Sequence, residues 1–204
     1  MVQERLGRVE RRLSAILAAD VAGYSRLMHH DEEATHARLT ALLMEAVQPA
    51  IAEHDGRIVK NTGDGFLAEF ASAVEAVRAA MQFQTRIHEI TIDDAENNRI
   101  AFRVGINIGD VIVEPHDIFG DGVNIAARLE SIAEPGGICI SSSAYDQVLG
   151  KILVEFADLG EQHLKNIARP VRAYALVQQR SGAKSSNSML ASVVGPAVRS
   201  GDTK

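Results

Sequence analysis

Two aspartates stand where short apolar runs meet glycine turns. Asp20 follows the run at residues 13–19, and Asp64 sits inside Gly63-Asp64-Gly65. Brought together at one end of a sheet, two carboxylates repel each other unless a cation lies between them. The stretch Asp20-Val21-Ala22-Gly23-Tyr24-Ser25 reads as a strand end, a glycine turn and a helix start. Backbone N–H groups at Gly23, Tyr24 and Ser25 can face phosphate oxygens there. Asn124 and Arg128 are four residues apart on a helical segment and share one face; a guanidinium suits phosphate oxygens. Lys60 can only donate hydrogen bonds, and ionised Asp117 can only accept them. Each residue alone also has an ordinary explanation. Asp20 can cap a turn and Asp64 can complete an Asp-Gly hairpin. Lys60 can be a solvated strand lysine, Asp117 a loop carboxylate, and Arg128 an exposed helix residue neutralised by Glu130.

The elements that must position these groups follow from periodicity. Residues 13–19 are expected to form a buried strand. Over residues 31–54, Leu39, Leu42, Leu43, Ala46, Val47, Ala50 and Ile51 recur at helical spacing behind an acidic first turn. Pro49 is expected to kink this helix or end its regular part early. Residues 57–62 and 66–70 read as strands joined at Gly63–Gly65. Residues 73–90 read as a second helix, with Val74, Val77, Met81 and Ile87 toward the core. Residues 100–108 and 111–114 are expected to pair as a hairpin turning at Gly109-Asp110. A third helix is expected over 120–132, with late strands at 138–140 and 171–177.

This order gives an α+β fold, a ferredoxin-like βαββαβ core with extra C-terminal strands. In that topology the hairpin between the second and third strands lies beside the C-terminal end of the first. Asp20 and Asp64 are therefore expected to be neighbours.

The chain has 204 residues, 46% of them hydrophobic, which suits one compact domain. We expect an N-terminal flank at 1–10, a catalytic domain at 11–179 and a flexible Ser/Gly-rich tail or linker at 180–204 that can lead to a further domain. Net charge is −6 with no basic run, which argues against nucleic acid as a partner. No run approaches the ~20 apolar residues of a membrane span, and the start of the chain lacks a secretory pattern. The single cysteine, Cys139, lies in an apolar run and reads as a core residue. A reducing cytoplasm fits these features. The seven histidines show no ligand spacing, and no Ser/His/Asp or Cys/His arrangement stands out.

Three segments together resemble the class III nucleotidyl cyclases. They are Leu17-Ala18-Ala19-Asp20-Val21-Ala22-Gly23-Tyr24-Ser25, then Lys60-Asn61-Thr62-Gly63-Asp64-Gly65, then the run from Asp117 through Gly120-Asp121-Gly122-Val123-Asn124 to Arg128-Leu129-Glu130. The similarity spans residues 13–177. It implies that Asp20 and Asp64 bind two Mg²⁺ or Mn²⁺ ions, with the Val21 carbonyl as a further ligand. It implies that Lys60 and Asp117 read adenine, that Asn124 orients the ribose and that Arg128 stabilises charge on the α-phosphate. Lys165 corresponds to a lysine that holds the terminal phosphates, although many relatives carry a second lysine where this chain has Ile167. Tyr24 and Ser25 stand where Phe and Thr are common. The implied reaction is cyclisation of ATP to 3′,5′-cyclic AMP, at sites shared across a homodimer interface. Guanylate cyclases usually carry Glu and Cys at the purine positions. A non-catalytic nucleotide-binding or dimerisation module would have lost an aspartate or the arginine, and a diguanylate cyclase would show a Gly-Gly-Asp-Glu-Phe-like turn.

Overall fold

Strand β1 (Arg11–Val21) is central to the sheet because both of its faces are apolar. Ala15, Leu17, Ala19 and Val21 enter the larger core cluster, while Ile16 and Ala18 enter a second one on the other side. This alternation is the period-2 signature of a strand covered on both faces. The computed structural model describes residues 10–95, 98–115 and 117–177. The expected tail at 180–204 and nearly all of the flank at 1–10 lie outside the described residues.

After β1 come α1 (Tyr24–His30), α2 (Glu32–Leu42), a π-helical turn (Leu43–Val47) and α3 (Gln48–Glu53). The hairpin of β2 (Arg57–Asn61) and β3 (Gly65–Phe70) leads into α4 (Ala73–Thr91) and β4 (Phe102–Glu114). The chain continues through β5 (Asp117–Phe119), α5 (Asp121–Ile132), β6 (Ile138–Ser141), α6 (Ser142–Val148), β7 (Phe156–Gln162) and β8 (Val171–Leu176). The strands form one mixed sheet in the order β2-β3-β1-β4-β6-β8-β7, with β5 on β4. Its first four strands pair antiparallel in the ferredoxin-like order, and β4 and β6 run parallel. Among the described residues no helix is long and apolar enough to cross a membrane.

The expected helix over 31–54 is divided. Its regular part ends at Leu42, and a π turn precedes Pro49 near the start of α3. Proline has no N–H and its ring crowds the carbonyl four residues back. The widened turn absorbs both effects, so the chain stays helical and still buries Leu39, Leu42, Ala46, Val47, Ala50 and Ile51. In α4, Val77 and Ile87 are buried, and Val74 and Met81 pack partly buried against the same core. Phe66, Phe83 and Phe102 tie β3, α4 and β4 together, with ring centroids 5.8–6.3 Å apart.

The expected hairpin at Gly109-Asp110 does not exist. β4 runs unbroken for 13 residues, and Gly109 and Asp110 face Ser14 and Leu13 of β1. The reversal comes after Glu114, where β5 folds back onto β4. Gly109 is a close-approach glycine: a Cβ there would lie 2.8 Å from Gly122 Cα of α5.

At the start of β1, Glu69 is buried at 5% exposure. It accepts from Arg12 Nε at 2.7 Å and Nη2 at 2.6 Å, from Ser14 Oγ at 2.7 Å and from Arg57 Nε at 2.9 Å. Burial by itself raises the Glu69 pKa, but these donors outweigh it and hold the carboxyl below its ordinary 4.5. A depressed folded value gives stability that is present above the unfolded pKa and lost as pH falls through the folded one. Glu69→Gln should therefore cost about 1–2 kcal/mol at neutral pH, a range tempered by the partly exposed arginines. Urea titrations at falling pH should show the gap between wild type and variant closing below 4.5. A pH-independent gap would show that the ion pairs contribute nothing.

Candidate active site

β1 and β3 run antiparallel with Asp20 opposite Gly65, and Val21 N donates to Asp64 O at 2.9 Å. The two aspartates are thus neighbours at one end of the sheet, as the topology implies. Gly65 permits this approach, since a Cβ there would meet Ala19 O at 2.0 Å. Gly23 adopts φ +68°, a left-handed conformation that turns the chain from β1 into α1. Tyr24 packs against the core behind it, and Ser25 is exposed.

Arg103 of β4 lies directly across from Asp20. Its Nε donates to Asp20 Oδ1 at 2.9 Å and its Nη2 donates to Oδ2. Glu130, near the end of α5, stands 3.7 Å from Arg103 Nη2. Its carboxyl is pushed up to about 8, first by burial and then by Asp20, with Asp64 adding and Arg103 opposing. With Glu130 held largely protonated, two carboxylates, Asp20 and Asp64, act on one guanidinium, a local excess of negative charge that suits a divalent cation. Asp20, Asp64 and the Val21 carbonyl are hard oxygen donors, of the kind that Mg²⁺ and Mn²⁺ prefer. Among the described residues no three His, Cys, Asp or Glu side chains group as a metal cage.

A second group forms where β2 meets β5. Lys60 Nζ donates to Asp117 Oδ2 at 2.6 Å, and Asp117 Oδ1 accepts from Ile118 N at 2.8 Å. The Phe119 ring centroid lies 5.7 Å from Lys60 Nζ, and that ring is 43% exposed.

The third group sits on α5. The helix is seated on β4 through glycine: a Cβ at Gly105 would lie 2.1 Å from Ala126 O. Buried Asn107 donates its amide to Gly122 O at 3.1 Å. Gly122, Ala126 and Leu129 face inward, which leaves Asn124 exposed and Arg128 partly so. Arg128 Nε donates to Lys165 O at 3.2 Å, bringing exposed Lys165 to the same place. Among the described residues no hydrogen bond or ion pair links the Asp20–Asp64 group to the Lys60–Asp117 or Asn124–Arg128 groups. Glu130 stands beside Arg103 rather than neutralising Arg128, as one reading of the sequence had it.

The sequence reading passed over Arg103, gave Phe119 no role, and named Glu130 only as a neutraliser of Arg128. For Arg103 a signal existed: an arginine amid the apolar alternation of β4 needs a carboxylate partner across the ladder. Nothing local marked Glu130 or Phe119.

A ferredoxin-like sheet extended by C-terminal strands, with one aspartate at the end of its first strand and a second in the hairpin turn beside it, is the architecture of a class III nucleotidyl cyclase. The chain belongs to the adenylate and guanylate cyclase catalytic domain family, whose model matches residues 10–178. It is 48% identical over 166 residues to a putative adenylate cyclase 3 of Rhizobium meliloti, a match covering 81% of this chain and 28% of that protein. The chain thus spans less than a third of that relative's length. Among solved structures it resembles an adenylate/guanylate cyclase/hydrolase from Silicibacter pomeroyi, with a TM-score of 0.76 and 48% identity over 83% of this chain and 99% of that one. It also resembles the adenylyl cyclase CyaB from P. aeruginosa, with a TM-score of 0.74 and 26% identity over 85% and 98% of the two chains.

Proposed function

We propose that this domain, residues 11–179, converts ATP to 3′,5′-cyclic AMP and pyrophosphate as a homodimer in the cytoplasm. The observation that carries the choice of ATP is the Lys60–Asp117 pair, a donor and an acceptor 2.6 Å apart. Adenine offers an acceptor at N1 beside a donor amino group at C6, so it can engage both ends of this pair. Guanine presents an N1–H donor and an O6 acceptor, which would leave both protein groups mispaired. The names of the relatives point to the same substrate class.

In each site, Asp20, Asp64 and the Val21 carbonyl of one protomer would hold Mg²⁺ or Mn²⁺, which would supply charge that lowers the cost of losing the ribose 3′-OH proton to water and that offsets the negative phosphates. The partner protomer supplies Lys60 and Asp117 for the base, Asn124 for the ribose and Arg128 for the charge that grows on the α-phosphate oxygens. Lys165, held beside Arg128, faces the terminal phosphates, and the amides at Gly23, Tyr24 and Ser25 line the same anion path. The 3′-oxygen attacks the α-phosphorus in line, its bond to phosphorus forms, and the bond to the β-phosphate oxygen breaks as pyrophosphate leaves.

The test is purified protein with Mn²⁺ and either ATP or GTP, followed by chromatographic analysis of the nucleotides. Cyclic AMP should form from ATP, with little cyclic GMP from GTP. In the double variant Lys60→Glu/Asp117→Cys, ATP turnover should fall by about a hundredfold or more. A weak rise with GTP is the most that the unsupported new pocket allows. Unchanged ATP turnover would remove these residues from base recognition.

A further inference from the structure

Arg103 and Asp20 form a closed fork. The guanidinium Nε and Nη2 take one carboxylate oxygen each, so a single permanent cation engages the whole carboxylate. The same group already touches a second set of partners. Its Nη1 donates to Ser131 O at 3.4 Å, and its Nη2 stands 3.7 Å from Glu130 Oε1. Arg103 and Asp20 are only 28% and 21% exposed, so water screens the pair poorly. Asp64 lies close enough to act on the same guanidinium through its charge.

We propose that Arg103 is a built-in competitor of the entering divalent cation for Asp20. The guanidinium holds the carboxylate until the cation arrives, then shifts onto Glu130 and the Ser131 carbonyl. The inference rests on the reading of Asp20 as a metal ligand and adds a control on when that ligand is free. Two features favour the shift. The fork engages both oxygens of Asp20, so a cation meets only their remaining lone pairs, on oxygens whose charge is already shared with Arg103. A dication at coordination distance from Asp20 would also repel a guanidinium still hydrogen-bonded to it. The partners at the end of α5 make the move possible, since Glu130 Oε1 and the Ser131 carbonyl offer oxygen acceptors to the displaced guanidinium. Glu130 and Ser131 lie on the same helix, α5, as Asn124 and Arg128.

The measurement is Mn²⁺ binding to the nucleotide-free full chain, followed by electron paramagnetic resonance of the free ion. Arg103→Gln removes the competing charge and should tighten Mn²⁺ binding about tenfold. Arg103→Lys keeps the charge without the fork and should give a smaller gain. Circular dichroism checks the fold; if the glutamine variant does not fold, the lysine variant decides by the same sign. Equal or weaker Mn²⁺ binding in the folded variant would overturn the proposal, because it would make Arg103 a strut that orients Asp20. Asp20→Asn is the control and should lose binding both alone and combined with Arg103→Gln. Binding retained by Asp20→Asn would overturn the metal assignment itself, an outcome distinct from failure of the competition.

Discussion

Asp64→Ala is expected to lower cyclic AMP formation by about a thousandfold or more, since a metal-binding carboxylate supports several kcal/mol of transition-state stabilisation. The fold should be unaffected. Asp64 contributes to the β1–β3 junction through its backbone carbonyl, which accepts from Val21 N and remains in alanine. At a hairpin tip, away from the core, the substitution should move the thermal midpoint by less than about 2 °C. Turnover and unfolding measured on the same preparation separate the two effects. A variant that keeps near-wild-type turnover with Mn²⁺ and ATP would end the two-metal assignment.

The placement of Asp64 beside Asp20 was legible in the sequence because it follows from strand order alone. Once residues 57–62 and 66–70 are paired around Gly63–Gly65, a ferredoxin-like sheet has one place for that hairpin. Gly109 was misread for a physical reason. A glycine before an aspartate looks the same in sequence whether it permits a turn or the close approach of a helix. Only the tertiary fact that α5 lies on β4, with Gly122 against Gly109, decides between them. Strand β7 escaped notice because it alternates weakly and is mostly exposed, held in place by its pairing with β8. The Arg103–Asp20 pair joins residues 83 positions apart. It becomes visible only when the β1–β4 register is known, and that register was hidden by the false turn at Gly109.

The seating of α5 explains how two distant parts of the site stay in register. Its inward face meets Gly105 and Gly109 with backbone-to-backbone contact, and Asn107 anchors its first turn. Such a helix has little freedom to slide or rotate. Asn124 and Arg128 are therefore held at a fixed angle away from the sheet, while Glu130, half a turn beyond Arg128, faces Arg103 and Asp20. One helix thus presents the proposed transition-state residues outward and touches the proposed metal site of its own protomer from the other side. An element with both connections is well placed to sit at an interface where each protomer completes its partner's site.

That arrangement makes a quantitative prediction for mixed dimers. Asp20→Ala damages the metal-binding half of a site and Arg128→Ala the transition-state half, so each variant homodimer should be nearly inactive. In a heterodimer of the two, one site receives both defects and the other receives neither, by the symmetry of an isologous dimer. Co-expression at equal levels with random assembly makes about half of the dimers mixed, each with one intact site of two. Recovered cyclic AMP formation should then approach roughly a quarter of wild type. Two affinity tags, one on each variant, allow the mixed dimers to be purified, and that fraction should approach roughly half of wild type. Protomers carrying both substitutions, mixed with wild type, give a matched control: their heterodimers have one defect in each site and should add no activity. If the tagged heterodimer is folded and dimeric yet no more active than the single variants, the site does not cross the interface, and the division of labour between β1 and α5 lies within one protomer.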